Sequence, residues 1–460
     1  MNKKMTIAIA AVLGVIMVGT LGFTAVKGLI IKNDPVNHLL YSAVHSKYEA
    51  VDATMSGKLF IDEAALSETL GFFSQDPVAL SKFVSTMFNN VAFTGDIKYK
   101  MDADANKYYL KEAMALNYAD KPLIKMGMSL YEEQLLAYSE TLSDKTFVLS
   151  KKELFDMINE QSEIDLNKLE LNKYIALLNL ENDPLFKALK KDTKGYEAIV
   201  RDGLKSLKKM DKTEVLLSNG QTVKCDTLEM TLTTDEMTKL FIDMFNEAKS
   251  DIELKALVKG KMVEILNLIM TSEDYLILKM DASDITDAIT NIETNFEELW
   301  NGTLDEMIFA YQDAQYELSK TMPNDSNYVV RFAIDSKYTI RKMDYATTIM
   351  GIGIEQSITY NAYNDDVKIE EVLDPEKTVS IKQMAEDKAF ATEIGKDVLD
   401  YGLTTIIDGE ALAMIMDDLK VNASLLPEFE NKTIMEMVDY FYENKASLKD
   451  MILDTMGLEN

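Results

Sequence analysis

The sequence predicts an α+β protein in which an antiparallel sheet packs on helices. Three observations predict this fold class: segments in which apolar residues recur at every second position, intervening segments with helical spacing, and an apolar content sufficient for a core. The chain has 460 residues, of which 47% are hydrophobic. Because strict alternation is typical of antiparallel strands that bury one face, we expect a sheet with one apolar and one polar face.

A stretch without charged side chains, Met5–Val26, precedes the predicted sheet. At about 1.5 Å per residue, a helix of this length spans roughly the 30 Å hydrocarbon core of a bilayer. The stretch is longer than the apolar region of an ordinary signal peptide, and it contains no good cleavage site. We therefore expect one N-terminal transmembrane helix, an uncleaved signal anchor rather than a cleaved signal peptide, in a single-pass cell-membrane protein whose bulk is extracytoplasmic.

Capped helices and alternating segments follow one another through the first half of the chain. Asp34-Pro35 predicts a helix start, because aspartate accepts hydrogen bonds from free backbone N–H groups and proline lacks an N–H of its own. The pair recurs at Asp76-Pro77 and Asp183-Pro184. The alternating segments, predicted as strands, are 56–63, 92–101, 107–116, 124–130, 135–138 and 146–149.

The second half of the sheet begins near Thr213, and the pair Asn219-Gly220 that follows predicts a hairpin turn. Beyond it the apolar alternation changes phase between Cys225 and Leu228, which predicts a bulge near Asp226-Thr227. The later predicted strands are 275–280, 328–334, 338–348 and 354–362. Helical spacing takes over after Asp374-Pro375, so we predict an anchor segment (1–33), an α+β body (34–375) and an all-α C-terminal tail (376–460).

The net charge of −29 limits the classes of partner. Long-range repulsion from phosphate backbones disfavours nucleic-acid binding. The single cysteine, Cys225, forms no intrachain disulfide. The 28 methionines have two interpretations: flexible core filler, or the lining of an adaptable apolar cavity.

Three stretches resemble the LolA/LppX-like envelope lipoprotein-carrier superfamily. They are LLSNGQTVKCDTLEMTLT at 216–233, FAIDSKYTIRKMDY at 332–345 and ITYNAYNDDVKIEEVLDP at 358–375. The resemblance covers residues 34–375 and implies a curved sheet, a half-barrel, that wraps helices around an apolar cavity for acyl chains. The chain departs from the family in lacking a lipidated N-terminal cysteine and in carrying the extra helical tail.

We therefore interpret the chain as a membrane-anchored binding protein of the bacterial cell envelope that holds an apolar or lipid ligand without catalysis. The helical tail, through the stripe Ile434–Phe441, is the predicted contact for an envelope protein partner. The alternative is a structural or interaction module, a scaffold or sensor whose sheet face is filled by its own helices. The predicted cavity residues are Phe93, Ile97, Met126, Met128, Leu130, Met230, Phe332 and Ile358.

The sequence contains no motif that predicts catalysis, a cofactor or a metal. His38 and His45 lie two turns apart on one predicted helix, too far to share a metal without other ligands. The Asp102-x-Asp104-x-Asn106 segment begins like a calcium loop, but the glycine and glutamate that would complete such a loop are missing. We therefore expect a hairpin turn there and a protein that is not an enzyme.

Basic residues cluster in one predicted helical region of this acidic chain. Two interpretations stay open: a surface helix balanced by nearby carboxylates, or a contact for lipid head groups or anionic wall polymer. The residues of this predicted anionic-surface contact are Lys194, Arg201, Lys205, Lys208 and Lys212.

Overall fold

A computed structural model of the protein describes residues 34–45, 49–71, 76–102, 107–131, 133–162, 168–178, 183–189, 194–321, 327–349, 351–369, 374–426 and 428–455. The predicted anchor Met5–Val26 lies outside these residues. Within them, no helix combines the length and the apolarity that a bilayer crossing requires.

In these ranges, one sheet of twelve strands organises the molecule. The strands are β1 (Ala50–Ile61), β2 (Val91–Asp102), β3 (Lys107–Tyr118), β4 (Lys121–Tyr131), β5 (Gln134–Tyr138), β6 (Thr146–Ser150), β7 (Lys208–Leu216), β8 (Thr222–Thr233), β9 (Asn327–Asp335), β10 (Ile340–Ile349), β11 (Ile352–Tyr363) and β12 (Thr378–Ser380). Their order across the sheet is β12-β6-β5-β4-β3-β2-β1-β11-β10-β9-β8-β7. All neighbouring strands are antiparallel except β12 and β6, which are parallel.

Helices connect the strands and pack on the sheet. They are α1 (Pro35–His45), α2 (Glu63–Leu70), α3 (Pro77–Phe88), α4 (Lys151–Ser162), α5 (Leu171–Leu178), α6 (Pro184–Leu189), α7 (Lys194–Gly203), α8 (Thr234–Ser250), α9 (Ile252–Thr271), α10 (Asp274–Ile277), α11 (Ala282–Thr321), α12 (Ile381–Glu386), α13 (Lys388–Asp408), α14 (Glu410–Asn422) and α15 (Glu428–Thr455). Asn295 has non-helical dihedral angles and kinks α11.

The predicted fold class is wrong, because the sheet is mixed and the tail is not all-α. The prediction did not include β12, a strand of the tail that pairs in parallel with β6. This strand is only three residues long, too short for an alternation to be visible. Asp374-Pro375, predicted to open a helix, opens a single 3₁₀ turn in which Asp374 Oδ1 accepts from the Glu376 N–H at 3.0 Å.

The predicted Asp-Pro helix starts in the body are confirmed. Asp34 Oδ1 accepts from the Val36 N–H at 2.9 Å, and Asp76 Oδ1 accepts from the Ala79 N–H at 3.0 Å. Asp183 does the same for the Leu185 N–H at 2.8 Å. These carboxylates satisfy first-turn donors that have no partner inside a helix.

A bulge is present near Asp226, but it lies on the neighbouring strand β7. Met210 pairs with Thr227 and Thr213 pairs with Cys225, so Asp211 and Lys212 both lie opposite Asp226. β8 itself is regular. The strand pairs with β9 in unbroken register from Cys225 to Thr233. The phase of its apolar residues changes because both faces of the strand are covered: Cys225 packs with Val215, Leu217 and Ala333 on one face, whereas Leu228 packs under helices on the other.

The predicted strand 275–280 is also wrong. The short helix α10 occupies Asp274–Ile277, and Glu273 before it has a left-handed backbone with φ of +58°. The Asp274 carboxylate is buried and accepts from the Tyr174 hydroxyl and from the Ser272 hydroxyl, both at 2.5 Å. This local polar network was not visible in the alternation of the apolar residues.

The chain segment that connects β8 to β9 forms a separate helical core. Helices α8, α9 and α11 surround Trp300, which is fully buried and donates its Nε1–H to the Ala248 carbonyl at 3.0 Å. The α8 helix begins at the end of β8 with a capping box between Thr233 and Glu236. This insertion therefore has its own core and leaves the β8–β9 pairing intact.

The tail helices reach the sheet at the end of β3. Tyr118 is buried, and its hydroxyl donates to Asp418 Oδ2 on α14 at 2.7 Å, while Asn90 Nδ2 donates to the same oxygen at 2.9 Å. Burial, with the Asp418 bond, raises the pKa of Tyr118 to about 12. The α14 helix thus covers one end of β3 and β4.

We predict that Cys225 is inert to thiol reagents in the folded protein. Its thiol is buried, and this burial raises its pKa to about 11, so little thiolate, the reactive form, is present at pH 8. Maleimide labelling followed by mass spectrometry should show protection that disappears in denaturant. The matched control is Lys224→Cys in a Cys225→Ala background, because Lys224 is exposed and should label rapidly. Fast native labelling of Cys225 would contradict this packing.

Candidate functional site

One face of the sheet carries an apolar row with one residue per strand across eight strands. Directly paired residues on neighbouring strands share a face. The row on this apolar face is Leu228, Phe332, Met343, Ile358, Met55, Gly95, Met114 and Met126. Side chains of Met55 and Met114 flank Gly95, since a Cβ placed there would lie 3.4 Å from each of them.

Helices cover the apolar face at the β8–β9 end. Leu39 and Leu40 of α1, together with Leu204 just after α7, pack on Leu228 and Ile334. The opposite part of the face, on β3 to β5, is not covered in this way. We call its half-exposed side chains the methionine patch: Met114 (46% exposed), Leu116 (40%), Met126 (46%), Met128 (43%) and Leu135 (38%).

All eight residues predicted to line a cavity project from the apolar face, but they do not form one site. Phe93, Ile97, Met126, Met128 and Leu130 lie on β2 and β4, within or beside the methionine patch. Met230 and Phe332 instead pack with the helices α1 and α7, and Ile358 lies between the two groups. Whether any of them holds a ligand stays a prediction.

A carboxylate also lies inside the methionine patch. Glu112 of β3 is paired directly with Ile97 on one side and with Met128 on the other. In the sequence, Glu112 interrupts an otherwise apolar alternation, and only the pairing shows that it lies among the methionines. The methionine patch is therefore not purely apolar, because one carboxylate borders its methionines.

Aromatic rings occupy the space beside glycines at three cross-strand pairs. The pairs are Phe93 with Gly57, Phe60 with Gly353 and Tyr138 with Gly127. A Cβ at Gly57 would lie 2.0 Å from the Phe93 ring, and one at Gly353 would lie 2.0 Å from the Phe60 ring. The absence of a glycine side chain is what allows each ring to lie on the neighbouring strand.

The polar face carries a matching row of charged and hydroxyl side chains. In register order it reads Lys208, Glu229, Arg331, Asp344, Ser357, Ser56 and Thr94. Glu229 is buried and accepts from Lys208 Nζ at 2.9 Å and from Arg331 Nε at 2.7 Å. The bonds from Lys208 and Arg331 hold the pKa of Glu229 below its usual range.

A groove of about 520 Å³ crosses this polar face from β9 to β2. We call it the charged groove. Its floor consists of small side chains, and its long charged side chains form ion pairs along it, Lys342 with Asp344 at 2.9 Å and Lys58 with Glu355 at 3.0 Å. This site is not visible in the sequence, because only the strand register brings these residues together.

The predicted basic stripe does not lie on one helix. Lys194 and Arg201 belong to α7, whereas Lys208 and Lys212 belong to β7, and Lys205 lies between them. Four of the five have acidic neighbours: Arg201 bonds Glu197 at 2.9 Å, Lys205 is near Asp202, Lys208 bonds Glu229, and Lys212 lies 3.4 Å from Asp226. The predicted anionic-surface contact stays a prediction.

Within the described ranges, no group of three or more His, Cys, Asp or Glu residues is placed to hold a metal ion. In comparisons with known proteins, no family model matches the sequence and no curated protein is significantly similar to it. The resemblance to envelope lipoprotein carriers therefore stays a prediction.

We predict that Glu229 contributes a pH-dependent part of the stability. Because its pKa is lower in the folded protein, this contribution is present above the unfolded-state pKa of about 4.3 and is lost as the pH falls through the folded-state value. Glu229→Gln should cost about 1 kcal/mol at pH 7, after allowing for solvent screening at the half-exposed Lys208 and Arg331. In urea titrations the difference should shrink between pH 6 and pH 3. The control Glu355→Gln, in an exposed pair, should change little; a pH-independent effect at Glu229 would contradict the assignment.

We predict that Gly57→Ala destabilises the protein by about 1–3 kcal/mol, because the new methyl group must displace the Phe93 ring. The loss should be smaller in a Phe93→Leu background, as measured by thermal and urea unfolding. The control is Gly260→Ala in α9, where no atom lies within 4 Å of the new Cβ and a small stabilisation is expected. A neutral Gly57→Ala variant would show that the ring does not lie over the glycine.

Proposed function

We propose that the chain is a non-enzymatic binding protein of the cell envelope, and that the methionine patch holds an apolar ligand such as an acyl chain. One observation supports this most: five large apolar side chains that adjoin on three neighbouring strands are 38–46% exposed. Contiguous exposed apolar surface of this kind marks binding sites in water-soluble folds. The uncharged segment Met5–Val26 supports a tether to a membrane, with the described residues on the extracytoplasmic side.

The composition of the patch favours a flexible ligand over a shape-specific partner. Methionine side chains are unbranched and polarizable, so they adapt to ligands of varying outline. Each half-exposed methionine that a ligand covers would contribute about 1 kcal/mol, at roughly 25 cal/mol per Å² of apolar surface removed from water. Three such side chains therefore provide a useful part of the affinity for an acyl chain.

The competing function, an interaction module acting through the tail, has less support. Val438 and Phe441 of the predicted stripe Ile434–Phe441 are buried, so these two side chains are not available for a partner. Met437 and Tyr440 on the same helix are about half exposed. We retain this function as the outcome to be accepted if no apolar ligand is found.

The first experiment is native mass spectrometry of the protein purified without detergent, combined with titration of a fluorescent fatty acid. We expect a co-purifying lipid or saturable binding of the probe. Repeated absence of both would contradict the proposed function and favour the interaction module.

A variant series locates the binding surface. The double variant Met114→Gln, Met126→Gln should weaken the binding of the fluorescent fatty acid by about tenfold or more, because two ligand-facing apolar groups become polar. Stability should change little, since both side chains are already half exposed. The matched control is Met280→Gln with Met437→Gln, two methionines of similar exposure elsewhere in the fold. Equal binding by both double variants would place the ligand outside the methionine patch.

A further inference from the structure

The β9 end of the charged groove has an excess of one positive charge. Arg331, Lys342 and the adjacent Lys208 face the two carboxylates Glu229 and Asp344. Arg331 uses its Nε–H for Glu229, and its terminal nitrogens have no hydrogen-bond partner in the described part of the chain. Its side chain is half exposed and lines the groove, so a planar two-nitrogen fork is available to a carboxylate.

The other end of the groove has an excess of one negative charge. Lys58 is paired with Glu355 at 3.0 Å, and Asp120, at the turn between β3 and β4, also lines the groove. Asp120 has no ion pair within the described ranges. A ligand with a positive group at this end and a negative group near Arg331 would match both ends.

The floor between these ends offers hydrogen bonds at intervals. Ser357 and Ser56 are directly paired on β11 and β1, and Thr94 follows on β2. The Thr94 hydroxyl accepts from Asn117 Nδ2 at 3.2 Å, which leaves its own O–H able to donate. Ala92 and Ala346 also line the groove, and their small side chains leave space in it.

We propose that the charged groove binds a short extended peptide with free termini, its carboxylate on Arg331 and its amino group near Asp120 and Glu355. Four strand spacings separate β9 from β2, or about 19 Å, which corresponds to about six residues of extended chain. The groove's near balance of charge disfavours polyanions and polycations, and its charged walls disfavour acyl chains. This site is on the face opposite the methionine patch and does not depend on the proposed function.

The test is calorimetric titration with a hexapeptide of alternating alanine and glycine, compared with its C-amidated and N-acetylated forms. We expect the free peptide to bind. C-amidation should weaken its binding about tenfold, because the carboxylate that accepts two bonds from Arg331 is replaced by a neutral amide. Arg331→Lys keeps the charge but removes the fork. It should therefore weaken the binding of the free peptide to a similar extent and leave the affinity for the amidated peptide unchanged. Asp120→Asn should abolish most of the difference between the free and N-acetylated forms.

The control is Asp287→Asn, an exposed carboxylate on α11 away from the groove, which should leave all affinities unchanged. Circular dichroism and fluorescent fatty acid binding should be the same in every variant, which separates loss of the groove from loss of the fold. Absence of binding at millimolar peptide, equal affinity of the free and amidated peptides, or unchanged affinity in Arg331→Lys would each overturn the proposal.

Discussion

The register of β1 against β2 and β11 determines the chemistry of both candidate surfaces. A shift of one residue in either pair would exchange the apolar and polar faces for all strands beyond it. The register is constrained by rings that require a glycine directly opposite: Phe93 over Gly57, and Phe60 over Gly353. Any other residue at these two glycines would collide with the ring. The apolar row on one face and the charged row on the other therefore depend on the same few contacts.

The distribution of helices decides which part of each face is free. The helices inserted between β8 and β9 form their own core around Trp300, while α1 and α7 cover the apolar face near β8 and β9. At the other end, α14 is held to the sheet through Asp418 and Tyr118. The methionine patch lies on β3 to β5, outside the part of the apolar face that α1 and α7 cover, so its side chains stay half exposed.

The sequence predicted most strands because their alternation is long and regular, as in 92–101 and 124–130, and it predicted helix starts where a carboxylate caps the first turn. It failed where the physical signal was too short or had a second cause. The three residues of β12 are too few to alternate. The change of phase in β8 reflects two covered faces, whereas the bulge near Asp226 belongs to β7. The apolar cavity residues were placed on one face correctly, but the charged groove was invisible until Arg331, Asp344 and Ser357 were brought into one row by pairing.

The most direct measurement of the central idea, that the uncovered apolar face accepts an apolar ligand, is photo-crosslinking with a diazirine fatty acid. After irradiation of the native protein, proteolysis and mass spectrometry identify the modified residues. The account predicts adducts concentrated on β3 and β4, within 107–131, that an excess of unlabelled fatty acid removes by competition. Adducts confined to the helical insertion or to the tail, or spread over the surface without competition, would contradict it.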